Sequence, residues 1–164
     1  MKDLIDKLSS YNIFNYLLPG VVFVAIANSF TKYNFVQADV VIGVFLYYFI
    51  GLVISRIGSV VVEPILKWTG FVKFSEYRDY IGASHKDKLI EVLSEANNMY
   101  RTFLSLFLSL SFLKIYEALS ERFQYLNSLS SEIAIVGLLA LFAFSYRKQT
   151  AYITKRVASA KDKD

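Results

Sequence analysis

The sequence predicts an all-α polytopic membrane protein with four transmembrane helices, helical cytoplasmic extensions and both termini inside (N-in/C-in). Three observations predict it. Apolar residues make up 55% of the 164 positions and charged ones only 20%. The apolar residues gather into four stretches, near 13–30, 40–62, 99–119 and 132–146, with the charges between them. Fifteen of the eighteen Lys and Arg residues fall in segments that a four-pass topology puts on one side, leaving only Lys32, Lys114 and Arg122 toward the other. Basic residues are retained on the cytoplasmic side during insertion, so this bias sets the orientation.

One domain of 1–164 accommodates the whole chain. The net charge of +4 does not point to nucleic acid, because the excess sits on the expected cytoplasmic face. Anionic inner-leaflet lipid is the simpler partner there. The absence of cysteine excludes disulfides and thiolate metal sites. No metal or cofactor is expected.

Residues 1–12 carry Leu4, Ile5, Leu8 and Tyr11 at helical spacing, which predicts a small interfacial helix. The first span follows over 13–30. Ala25-x-Ala27 after an apolar run has the form of a cleavage site, but Asp3 and Asp6 make a poor positive lead, so an uncleaved anchor is expected. Pro19-Gly20 predicts a kink, since proline removes one donor and crowds the preceding turn. A short outer loop, 31–39, places Tyr33 and Phe35 at headgroup level. The second span opens at Val40 and has sixteen uncharged residues before Arg56, about 24 Å of helix. It should run on until Pro64 disturbs it.

Residues 64–98 form the substantial cytoplasmic loop, punctuated by Gly70 and Gly82. Ser84-x-x-Asp87 has the form of a capping box. It should open one long helix from about His85 to Leu119, whose membrane part is 99–119. The fourth helix enters near Glu132 and should continue past Tyr146 as a cytoplasmic helix over 147–164, with no Gly or Pro to stop it there.

Three clusters are candidate functional residues. On helix three, Ser105, Ser109, Ser111, Lys114, Glu117 and Glu121 form a candidate polar stripe. Only twelve uncharged residues separate Arg101 from Lys114, about 18 Å, so these charges should pair with one another or snorkel. On helix two, Gly43, Gly51, Ser55 and Ser59 repeat on a four-residue register that lets backbones approach, as a helix-packing or oligomer face. In the loop, Trp68, Phe71, Phe74, Tyr77 and Tyr80 make an aromatic face suited to docking a soluble protein. The interval Arg78-x6-His85 resembles the Arg–His pattern of HEPN ribonucleases, but Gly82 interrupts it. No nucleophile elbow or phosphate loop is present, so the chain is expected to be non-enzymatic.

In size, four spans, N-in/C-in orientation and cytoplasmic helix extensions, the chain resembles the small four-helix membrane subunits of bacterial phage-defence systems, the Kiwa-like membrane components. The resemblance is one of layout. It implies a homo-oligomer in the bacterial inner membrane that senses membrane disturbance and binds a cytoplasmic effector. A pore-forming or membrane-perturbing channel is the alternative, and it would need the helix-three stripe to face a shared axis.

Overall fold

A computed structural model describes residues 13–161. The interfacial helix expected over 1–12 and the last residues, 162–164, lie outside the described residues. The described chain is helical, with no strand. A π-helical turn, Ile13–Leu17, leads into α1 (Leu18–Phe30). The next elements are α2 (Val40–Ile57), a second π-turn (Gly58–Val62), α3 (Glu63–Trp68) and α4 (Tyr77–Ser84). The chain closes with α5 (Leu89–Arg122), α6 (Gln124–Ser128) and α7 (Ser130–Lys161). Three helices are long and apolar enough to cross a membrane: Val40–Trp68, Leu89–Arg122 and Ser130–Ala160. The apolar helix Asn15–Phe30 is shorter.

Both prolines follow π-turns, and neither ends its helix. A proline cannot donate its N–H and crowds the carbonyl four residues back, and a single π-turn, which widens the helix by one residue, relieves both. Helix α2 therefore continues through Pro64 to Trp68 instead of breaking near 62. The helix stops at Gly70, whose φ of 74° is the left-handed stop that glycine adopts freely. Its start is fixed by Asp39, whose Oδ1 accepts the Ile42 N–H at 2.9 Å, a side-chain N-cap.

The capping box expected at Ser84–Asp87 is corrected. Ser84 closes α4 by donating to the Ile81 carbonyl at 3.1 Å. Asp87 lies one residue before the N-cap of the next helix, Lys88, and accepts from the Leu89 N–H at 2.9 Å. The expected loop of 64–98 is thus mostly helix: the end of the α2–α3 rod, α4 and the first turns of α5.

Helices α1, α2 and α5 form a wedge around Phe23, Val24, Ala27, Ile54 and Leu106. Glycines allow it. A Cβ on Gly20 would lie 1.7 Å from the Tyr47 carbonyl oxygen, and one on Gly51 the same distance from that of Tyr16. The α1 and α2 backbones therefore touch, as small-residue crossings permit. On the other side of α2, a Cβ on Gly58 would sit 3.3 Å from that of Ser105. The Ser105 hydroxyl donates to the Ile54 carbonyl at 2.9 Å, tying α5 to α2.

Helix α7 packs differently. Only 6% of its apolar window is buried, against 22% for α2 and 28% for α5. Its contacts with the wedge include a stack of Phe142 on Phe49, with ring centres 6.2 Å apart, and an ion cluster at one end.

Candidate functional site

The cluster is built on Glu63, the first residue of α3 and buried. Side chains tilt toward the N-terminus of their own helix. On the antiparallel α2–α3 and α5 rods, Glu63 and Arg101 therefore lean toward each other. Arg101 Nη1 donates to Glu63 Oε2 at 2.5 Å. Lys67, one turn on, donates to Oε1 at 2.9 Å. Lys148, on α7, reaches the same oxygen at 3.2 Å. One carboxylate thus joins three rods through three cations.

The second π-turn adds a further link. The Glu63 N–H goes back to the Gly58 carbonyl, and Pro64 has no N–H. The Ser59 carbonyl is left without either of its backbone donors, and Lys148 Nζ supplies one at 2.5 Å. The irregular helix thereby creates the acceptor that holds α7.

Beside Glu63 opens a cavity of about 1160 Å³, bounded by α2, α5, α7 and the 72–80 segment. Arg56, Lys67, Lys73, Arg101 and Lys155 line it, against two carboxylates, Glu63 and Glu76. Arg56 donates to the Tyr16 hydroxyl at 3.1 Å, and Lys67 lies 4.1 Å from the centre of the Phe74 ring, a cation–π contact. Arg101 Nε is buried with no hydrogen-bond partner among the described residues.

The opposite end of the bundle holds the second charged cluster. Glu117, buried, accepts from Lys114 Nζ at 2.8 Å and from the Lys32 backbone N–H at 3.0 Å. Lys32 Nζ is 3.6 Å from Glu121 and 3.4 Å from the Ser120 hydroxyl. Two cations meet two carboxylates there.

The sequence-predicted clusters are thereby divided. Lys114, Glu117 and Glu121 come together, with Lys32 as the added member. Ser105 is closed against α2, while Ser111 is exposed and donates to its own Phe107 carbonyl. Ser109 is half-buried. These positions do not share one face of α5. Of the small residues, Gly51 and Ser55 are buried in the protomer's own packing, and the Ser59 carbonyl holds Lys148. Gly43 is buried as well, with the Tyr47 ring nearest to where its Cβ would stand. Among the aromatics, Trp68 and Phe71 are exposed, at 87% and 79%. Phe74, Tyr77 and Tyr80 line the cavity, with Tyr77 against the Tyr152 ring. Arg78 and His85 do not line it.

Glu63, Lys148, Gly20 and Gly58 were not among the sequence-predicted site residues. The signal for Glu63 was present: it is the single acid between Asp39 and Glu76, set in a helical apolar run, where an ionisable residue marks a site. Comparison with protein-family models, curated proteins and solved structures returns no match.

Proposed function

We propose that the chain is a non-enzymatic integral membrane subunit of a bacterial inner membrane, spanning it four times with both termini in the cytoplasm. It assembles with copies of itself and serves as a sensor or anchor for a soluble cytoplasmic effector. The observation that carries this reading is the bareness of α7. A 32-residue helix with one narrow face on the wedge presents the rest of its apolar surface to lipid or to a second copy.

Helix lengths support the cytoplasmic platform. Helix α5 has 34 residues, about 51 Å, against a hydrocarbon core of about 30 Å. With Lys114 near the outer headgroups, its N-terminal turns project beyond the inner ones beside α4 and the end of α7. Trp68 and Phe71 stand at the edge of that platform as anchors for the effector. The layout likeness to phage-defence membrane subunits makes such an effector the expected partner.

The channel reading has less support. Ser105 spends its donor on the Ile54 carbonyl, and Glu117 spends both oxygens within its own cluster. Native mass spectrometry of particles released from nanodiscs tests assembly: more than one chain per particle is expected, and a monomer overturns it. Ion flux into liposomes tests the alternative. Little flux is expected, unchanged in Lys114→Leu/Glu117→Leu. A flux that the double variant abolishes would make the protein a channel.

A further inference from the structure

We infer that the cavity beside Glu63 binds a phosphate group, carried either by an anionic lipid headgroup or by a soluble phosphate. The lipid source alone rests on the membrane reading above. Charge balance points to an anion first. Buried charges persist when they are paired. Among the described residues Glu63 is one carboxylate facing three cations, Lys67, Arg101 and Lys148, so the cluster they form carries a surplus of two positive charges. Arg56, Lys73 and Lys155 add three more around the cavity, and Glu76 removes only one.

The donors are the right kind. Arg101 has Nη1 committed to Glu63, yet among the described residues its buried Nε has no hydrogen-bond partner. Guanidinium groups present several N–H donors in a planar fork that matches phosphate oxygens, and Arg56 and Arg101 both face this space. The Tyr77, Tyr80 and Tyr152 rings and Asn97 complete a wall of mixed polarity. Phosphate fits better than carboxylate because its unesterified oxygens, two in a lipid phosphodiester and more in free phosphate, spread tetrahedrally toward cations arriving from α2, α5 and α7, whereas a carboxylate is planar. The cluster at the other end lacks this surplus, since its two cations already meet two carboxylates.

The test uses the full chain in phosphatidylcholine nanodiscs, with and without phosphatidylglycerol, and in phosphatidylcholine alone with inorganic phosphate against chloride at matched ionic strength. Retained lipid is counted by native mass spectrometry, and protection is read as a rise in Tm. Retained phosphatidylglycerol identifies the headgroup as the source. A Tm rise with inorganic phosphate alone identifies the soluble ion. Lys73→Gln with Lys155→Gln, both exposed positions, should weaken the effective source by about fivefold per lysine, the weight of one basic residue at an anionic surface. Lys86→Gln with Lys88→Gln removes the same charge outside the cavity and should leave retention or protection unchanged. Equal losses in the two pairs, or no response to either phosphate source, overturn the proposal.

Discussion

The α1–α2–α5 wedge and α7 are built on opposite principles. The wedge is held by backbone proximity: Gly20 and Gly51 bring two helices into van der Waals contact, and Ser105 hydrogen-bonds across to a main-chain carbonyl. Helix α7 is held by side-chain reach. Phe142 stacks on Phe49, and Lys148 extends to Glu63 and Ser59. Proximity excludes a partner, because nothing fits between touching backbones. Reach leaves most of a helix uncovered. The wedge therefore reads as the finished part of the protein, and α7 as the part that a second copy or lipid completes.

The contrast is broken most strongly at the glycine crossing. Gly51→Ala places a Cβ where the Tyr16 carbonyl oxygen stands, so the helices must part. Overpacking against an unyielding backbone costs about 3 kcal/mol, and unfolding in detergent followed by circular dichroism should show a loss of that order. Next is Glu63→Gln, which leaves three cations facing no carboxylate. Breaking a buried pair costs about 3–5 kcal/mol, and the lower end is expected because Lys67 is 42% exposed and partly screened. The readout specific to α7 is faster tryptic cleavage at Arg147–Arg156 in the variant.

A smaller effect isolates the π-turn. Lys148→Met strands the Ser59 carbonyl and should cost about 1–2 kcal/mol. Pro64→Ala returns a backbone N–H to that turn, so the Lys148→Met penalty should shrink in its background. An undiminished penalty would mean that Lys148 acts only through Glu63. The smallest effect is the control for the whole contrast. Gly137 lies in the apolar part of α7, and a Cβ added there would meet nothing within 4 Å. Gly137→Ala should leave the fold intact and raise stability by up to about 1 kcal/mol through helix propensity, read in the same unfolding experiment as Gly51→Ala.

The helices were legible in the sequence because apolar runs and charge placement report local composition. The α2 start at Asp39, the stop at Gly70 and the unbroken α7 all follow from residues at those positions. The site around Glu63 was less legible because its parts come from three distant segments. Nothing near Lys148 in sequence shows that it meets residue 59, and that meeting depends on a register shift induced by Pro64. Pro64 was expected to disturb the second span, and the physics of a missing donor was right. The outcome differed because a π-turn absorbed the defect and exported the unsatisfied carbonyl to another helix. The Gly51–Ser55 register was read as either packing or assembly, and the close approach to Tyr16 and Gly20 assigns Gly51 to packing within the chain.

If the chain assembles as proposed, the exposed face of α7 should meet the α7 of a second copy. Because the chain has no cysteine, single cysteines report on this meeting without background. Val136, Leu139 and Tyr146 are exposed and lie outside the face of α7 that carries Ser145 and Lys148. Val136→Cys, Leu139→Cys and Tyr146→Cys should form disulfide-linked pairs of chains in native membranes under mild oxidation, while Leu106→Cys, buried in the wedge, should not. The absence of cross-linking at all three α7 positions, together with one chain per nanodisc, would contradict the account.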